Sequence, residues 1–450
     1  KKDGEPYNVY SDGLKVFTTI DSRMQEYAEQ AVHDHVVKFL QPAFDKENRG
    51  KSTAPFSGKL TDSQVRQILM RSVRQSERYR VMKADGATST EISKAFNTPT
   101  EMSVFTYHGE IDTVMTPLDS IRYYKSFLRA GFMSMSPVDG AVKAYVGGMD
   151  FIHFKYDMCM EGRRQVGSTI KPFLYSLAME NGFSPCDMAP NVQQTYIVAG
   201  QRWTPRNTSH SRYGQMVPLK WGLAQSNNWI SAYLMSKLNP QAFVDLLHEY
   251  GVKNPGIHPS MALCLGPCEI TVAEMVSAYT AFVNHGIRCA PLFVTRIEDN
   301  EGNVVARFQP RMNEVISEES ANKMLYMLKG VVDGGTAGRL RFRYKIKGEI
   351  GGKTGTTNNN SDAWFIGFTP ELISGVWVGG DDRDIHFDTM RMGQGATMAL
   401  PIWAYYMRRV YADKDLGYSD ESLFDLPEGY DPCGIPADSV GVDGIDEVYE

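Results

Sequence analysis

Apolar positions along the chain alternate between the period of a strand and the period of a helix. Leu14 to Thr19 reads as a strand, and Asp21 then stands where a helix cap belongs, ahead of Met24, Tyr27, Ala28, Ala31, Val32 and Val36 at helical spacing. Residues 41–58, rich in Gly, Pro, Ser and Lys, read as a loop. Thr61 with Gln64 forms a capping box before Val65, Ile68 and Leu69, and Thr88 with Glu91 forms another. Glu101 to Tyr107 and Glu110 to Met115 flank His108-Gly109 as a hairpin. Pro117-Leu118-Asp119 opens a helix with Ile121, Tyr124, Phe127 and Leu128.

Phe132 to Met135 and Ala141 to Val146 flank the turn Pro137-Val138-Asp139-Gly140. Helical segments follow from about 168 to 285. Ile346 to Thr356, Ala363 to Phe368 and Leu372 to Val378 give three strands with short turns, hence antiparallel. A helix over Ala396 to Tyr411 closes the unit, and an acidic tail follows Asp413. Strands at both ends with helices between them predict one sheet assembled from distant parts of the chain.

Composition narrows the function. The chain has 450 residues, 47 Lys+Arg and 53 Asp+Glu, for a formal charge of −6. That balance argues against a general nucleic-acid binder, which needs a basic footprint. No run of about 18 apolar residues is present to span a bilayer. The six cysteines do not form two Cys-x-x-Cys clusters, and the histidines have no ligand spacing, His33 and His35 facing apart on their helix. No metal site and no cofactor is therefore expected. Cys264 and Cys268 can either close a small loop or stay as buried thiols.

Three short motifs carry chemistry. In Gly167-Ser168-Thr169-Ile170-Lys171-Pro172 the glycine permits a tight turn and the proline fits an early helical turn. Ser168 then sits at a helix mouth with Lys171 one turn on, on the same face. A lysine kept neutral by burial can take the serine proton, and the helix N-terminus favours a developing oxyanion. Ser-x-x-Lys is weakly specific, with about two expected by chance. A second, Ser320-Ala321-Asn322-Lys323, reads as a solvated helix start. Ser226-Asn227-Asn228 offers a hydroxyl relay and an amide, or simply a helix cap. Gly351-Gly352-Lys353-Thr354-Gly355-Thr356-Thr357 offers a strand that a ligand backbone can approach, a cation and hydroxyls for an anion. The three follow in order, 58 and 127 residues apart, and as a set they are the signature of serine acyl-transferases of the penicillin-binding and class A β-lactamase type.

The sequence resembles the transpeptidase region of class A penicillin-binding proteins. The resemblance rests on Arg164 to Phe173, with Val166 where proline is usual, on Lys353 to Thr357 followed by Asp362 to Pro370, and on Gly375 to Gly379. Ala141 to Gly148, Glu274 to Tyr279, Gly335-Thr336-Ala337 and the linker-like Phe17 to Asp21 agree. It implies an α/β (α+β) fold, a five-stranded antiparallel sheet packed between helices, and a division into a linker domain over 1–115, a transpeptidase domain over 116–412 and a tail over 413–450.

It also implies D,D-transpeptidation of peptidoglycan stem peptides ending in D-Ala-D-Ala, with β-lactams as covalent inhibitors. Ser168 would be the nucleophile, Lys171 the base, Ser226 the proton relay and Asn228 the amide ligand. Lys353, Thr354, Gly355, Thr356 and Thr357 would receive the substrate carboxylate end, and the Ser168 and Thr356 amides would form the oxyanion hole. The expected setting is the extracytoplasmic face of the bacterial inner membrane. The chain reads as a soluble truncation of an anchored parent with an upstream glycosyltransferase. A D,D-carboxypeptidase, a β-lactamase or a non-turnover β-lactam sensor are the alternatives on the same fold. Asn227, where class A β-lactamases have Asp, and the lack of a deacylating Glu motif disfavour efficient β-lactam hydrolysis.

Overall fold

The computed structural model describes residues 4–198 and 200–433. The tail assignment beyond 433 lies outside the described residues.

The strands Arg129–Met135, Val142–Val146, Gly351–Thr356, Asp362–Phe368 and Ile373–Gly379 form one antiparallel sheet. Its spatial order starts at Gly351–Thr356, runs through Asp362–Phe368 and Ile373–Gly379, and ends on Arg129–Met135 and Val142–Val146. The Asp362–Phe368 and Ile373–Gly379 strands are buried at every position, because helices cover both faces. Glycines set how closely those helices approach. Trp403 of helix Leu400–Ala412 donates its Nε1–H to the Gly367 carbonyl at 3.0 Å. A Cβ on Gly367 would strike that indole. On the other face a Cβ on Gly375 would strike Val276 of helix Val272–Tyr279.

Helix Ser22–His35 begins at Asp21, which accepts from the Arg23 and Met24 amides. It does not stop where the composition predicted a loop. A π turn over Val36–Leu40 leads into helix Gln41–Asn48. The apolar spacing Val36, Leu40, Phe44, all buried, outweighs the Gly, Pro and Lys content of the segment, and Pro42 is accommodated just after the π turn, where the regular i→i−4 ladder is already interrupted. This whole stretch joins the same core as the sheet. A separate small core of Val73, Ile92 and Phe96 packs against Leu118 and Ile121.

Both capping boxes form as expected, as do the hairpin of Thr100–Thr106 with Gly109–Met115 and the pairing of Arg129–Met135 with Val142–Val146. Other boundaries differ. The helix at Pro117 ends at Lys125, leaving Phe127 and Leu128 buried beyond it. The third-motif strand starts at Gly351 rather than Ile346. The closing helix is two segments, Gly395–Met398 and Leu400–Ala412. Lys15–Thr18 pairs with Val294–Glu298 in a separate three-stranded sheet, which abuts the main one where Thr19 and Asp21 bond the Val142 and Lys143 carbonyls. Cys264 and Cys268 are free and buried. A disulfide instead joins Cys186 to Cys433 across 247 residues.

Candidate active site

Glycine geometry builds the turn that carries Ser168. Gly167 has φ +52°, and a Cβ there would lie 2.8 Å from the Thr356 carbonyl oxygen. Gly266, at φ +70°, lies against the Gly167 backbone, which a side chain would block. The Val166 and Gly167 amides donate to the Cys268 and Gly266 carbonyls, each at 3.1 Å. Gly167–Ile170 is a single 3₁₀ turn, and helix Lys171–Glu180 follows with proline in its first turn. The Thr169 hydroxyl donates to the Val166 carbonyl at 2.7 Å, and Tyr279 Oη donates to the Thr169 carbonyl at 2.5 Å. The turn is thus tied down on both sides, while the half-buried Ser168 keeps a hydroxyl without a hydrogen-bond partner among the described residues.

The second motif divides its labour. Asn227 is the helix cap, its Oδ1 accepting from the Trp229 and Ile230 amides at 2.9 and 3.1 Å. Ser226 takes a positive φ of +53°, a conformation that costs about 1–3 kcal/mol for a non-glycine residue and is held by its surroundings. That kink turns its hydroxyl toward two lysines. Lys171 Nζ donates to the Ser226 carbonyl at 2.6 Å and to Asn228 Oδ1 at 2.7 Å, and lies 3.3 Å from Ser226 Oγ. Lys353 Nζ donates to Ser226 Oγ at 2.9 Å from the other side. Cap and chemistry are competing readings of the motif; Asn227 takes the cap, while Ser226 and Asn228 face the two lysines.

The third motif occupies the free edge of the sheet. Its glycines serve packing within the protein more than room for a ligand. A Cβ on Gly355 would meet Thr169 Cγ2 at 2.8 Å and the Val166 carbonyl at 2.9 Å, so Gly355 lets the nucleophile turn lie on the strand. Thr354 Oγ1 shares a 2.7 Å hydrogen bond with Thr336 Oγ1. Thr356 Oγ1 accepts from the Gly395 amide at 3.0 Å and keeps its own proton to give. Thr357 differs from the expectation that it meets a ligand. It is buried, and its hydroxyl accepts the Asp362 amide at 2.9 Å and approaches Asp362 Oδ2 at 3.3 Å.

Burial sets the charge state of the two lysines. Lys171 is fully buried, and loss of hydration pushes its ammonium down to about 7, with Cys264 acting weakly the other way. Burial, and then repulsion from Lys171, hold Lys353 well below the usual lysine range. No carboxylate is among the causes acting on either.

The second Ser-x-x-Lys is a helix start, capped by Ser317, but it is not solvated as expected. Ser320 and Asn322 are buried because this helix packs on the core through Ala321, Met324 and Leu325. Ser317 donates its hydroxyl to Glu180 at 2.6 Å and accepts the Ser320 amide at 3.3 Å. Lys323 pairs with Glu319 at 2.6 Å.

Sequence reasoning missed the supports. Buried Asn191 accepts from Asn227 Nδ2 at 2.9 Å and donates to the Ser211 and Arg212 carbonyls. Asn207 Oδ1 accepts the Asn228 amide, and the Arg206 carbonyl accepts Asn228 Nδ2 at 2.7 Å. These partners lie 20 to 40 positions away with no periodic signal. The Pro190-Asn191 and Pro205-Arg206-Asn207 clusters mark turns there, the only local hint.

Known proteins resemble this chain in sequence and in fold. The family described as "Penicillin-binding protein middle domain" matches residues 51–128, and "Penicillin binding protein transpeptidase domain" matches residues 130–379. Penicillin-binding protein 1A of Aquifex aeolicus is 28% identical over 433 residues, covering 92% of this chain and 56% of the relative. Penicillin-binding protein 1A of Neisseria lactamica is 33% identical over 290 residues, covering 62% of this chain and 36% of the relative. The chain thus spans about a third to just over half of the length of these relatives. Among solved structures, penicillin-binding protein 1A from Haemophilus influenzae superposes with a TM-score of 0.70 at 24% identity, over 95% of this chain and 70% of that one. PonA1 from Mycobacterium tuberculosis, in complex with penicillin V, gives 0.62 at 22%, over 95% and 93%. Both likenesses show the fold.

Proposed function

The chain belongs to the penicillin-binding protein transpeptidase family, and from that membership we propose that it is a serine D,D-transpeptidase that cross-links peptidoglycan stem peptides. The observation that carries this reading is the fully buried Lys171 amine, held by Ser226 and Asn228 at the foot of the Ser168 helix. Burial brings that amine down to about 7, so that a neutral, proton-accepting form is available near neutral pH.

Ser168 Oγ attacks the carbonyl of the penultimate D-Ala as Lys171 takes its proton. The Ser168 and Thr356 amides receive the oxyanion, and the approach of Gly167 to the Thr356 carbonyl supports their sharing one site. The C–N bond to the terminal D-Ala then breaks, and Ser226 passes a proton from the lysine pair to the leaving amine. A stem-peptide amine attacks the resulting ester and frees Ser168.

Asn228 has one lone pair on Lys171 and one N–H on Arg206, leaving one donor and one acceptor for the substrate amide. Lys353, Thr354 and Thr356 take the terminal carboxylate, while Gly355 and Thr357 shape the strand. A bound carboxylate raises Lys353, and the charged Lys353 then keeps Lys171 neutral by repulsion. β-Lactams place the same groups in the same positions and acylate Ser168. The commitment of Asn227 to its helix cap supports acyl transfer over hydrolysis, because that side chain does not activate a water.

The substrate puts the working site on the extracytoplasmic side of a bacterial inner membrane. The Cys186–Cys433 disulfide supports an oxidising compartment. Incubation with donor and acceptor stem peptides tests the proposal. Cross-linked dimer is the expected product. Release of D-Ala with only the shortened monomer would assign a carboxypeptidase, and labelling by penicillin with neither product would assign a sensor.

A further inference from the structure

One sequence motif is not absorbed by this mechanism: the segment that starts at Asp362. The Asp362 carboxylate is fully buried and lies beside the site without entering it. Its Oδ1 accepts from Arg164 Nε at 2.7 Å and from Trp377 Nε1 at 3.0 Å. Its Oδ2 approaches the Thr357 hydroxyl at 3.3 Å. Its own amide donates to Thr357 Oγ1 at 2.9 Å, and its carbonyl accepts the Thr357 amide at 3.1 Å.

Arg164 stands four residues before Ser168, and Thr357 directly follows Thr356. One carboxylate therefore grips the two segments that supply the oxyanion hole. The Arg164 guanidinium is fixed further, 4.5 Å over the Trp377 ring and 3.4 Å from the Asp381 carbonyl. Trp364 ties the same segment down by donating to the Gln165 carbonyl at 2.8 Å. A buried carboxylate is costly unless its partners are fixed, and every partner here lies on the nucleophile segment, the third-motif strand or the sheet. We propose that Asp362 is a positioning residue, setting the distance between the Ser168 and Thr356 amides by holding Arg164 and Thr357 at once. The proposal rests on the reading of Ser168 as nucleophile.

The test compares the parent chain with Asp362→Asn, which keeps the shape and the Trp377 and Thr357 contacts but loses the charge on Arg164. A fluorescent penicillin reports the final labelled fraction, the second-order rate constant and its pH midpoint. The expected result is the same final fraction, a rate lower by about 100-fold, as a misplacement of about 1 Å costs, and an unchanged pH midpoint, because Lys171 keeps its surroundings. Asp362→Asn combined with Arg164→Lys should be no slower than Asp362→Asn alone, since the two act as a unit.

A parental rate constant in the labelled molecules, with only the labelled fraction or melting temperature reduced, would overturn the proposal. So would a displaced pH midpoint. If Asp362→Asn does not fold, Thr357→Val decides: a rate lower by about 10-fold supports the proposal and a parental rate overturns it. If the parent itself is not labelled at Ser168, the nucleophile reading fails separately. Amide exchange of the peptides containing Ser168 and Thr356 then decides positioning. Faster exchange in Asp362→Asn supports it, and equal exchange overturns it.

Discussion

The chain contains Ser-x-x-Lys twice at helix starts, and the two sites behave as opposites. At 168–171 the serine hydroxyl is unpartnered among the described residues while the lysine is fully buried and held by Ser226 and Asn228. At 320–323 the serine is the buried member, while the lysine pairs with Glu319 at 2.6 Å. Spacing puts both pairs on one helix face. What differs is the counter-charge. Lys323 stands against the Glu319 carboxylate, whereas among the described residues no carboxylate acts on Lys171 and burial takes it down to about 7. The same four-residue spelling buries a lysine against a serine carbonyl and an amide in one place and pairs it with a carboxylate in the other.

Substitution of the two lysines breaks the comparison most sharply. Lys171→Met should slow acylation of the protein by a labelled penicillin by about 10³-fold or more, within the range for a lost general base. Lys323→Met should leave the rate within about twofold, since Lys323 pairs with Glu319 on a helix that carries none of the three motifs. Equal effects would erase the distinction.

The same variant has a stability signature of fixed sign. The folded pKa of Lys171 is lowered from 10.5 to about 7, so between those values the unfolded chain carries the extra proton. Folding is increasingly penalised as pH falls through that window and the penalty is full below it. Lys171→Met removes the penalty, so its melting temperature should gain more on the parent at pH 7 than at pH 10. An equal gap at both would show that Lys171 is not titrating in the fold.

Ser226→Ala comes next. It removes the hydroxyl between the two lysines and should cost about 10²-fold in acylation rate, with Ser320→Ala unchanged in the same assay. The pH profile is smaller in effect. A neutral Lys171 predicts a rate that rises about 10-fold from pH 6 to pH 8 around a midpoint near 7, and a flat profile would assign the proton to another group. The smallest effect belongs to the second site alone. Ser317→Ala should lower stability by about 1 kcal/mol through the lost helix cap and the lost bond to Glu180, measured by chemical denaturation, while Ser168→Ala, whose hydroxyl has no partner to lose among the described residues, should not.

The contrast also marks what the sequence could reveal. The order and spacing of the three motifs are local facts, so the residues that meet at Ser226 were legible, as was the sheet assembled from residues 129–146 and 351–379. Burial of Lys171 was inferred only as a requirement, because the residues that enclose it come from elsewhere in the chain. Helix Gln41–Asn48 was hidden by Gly and Lys content although Val36, Leu40 and Phe44 kept the helical period. Ser320 was misjudged for the converse reason: Glu318 and Glu319 advertise solvent, yet the helix turns Ser320 inward. Contacts such as Asn191 with Asn227, Arg164 with Asp362 and Cys186 with Cys433 join segments 36, 198 and 247 residues apart, and no periodicity encodes them.

The most direct measurement is the location of a penicillin adduct by mass spectrometry of a digest, in the parent chain and in Ser168→Ala. The account predicts one adduct per chain, on the peptide containing Ser168, and none in Ser168→Ala. An adduct on the peptide containing Ser320, or labelling that survives in Ser168→Ala, would contradict it.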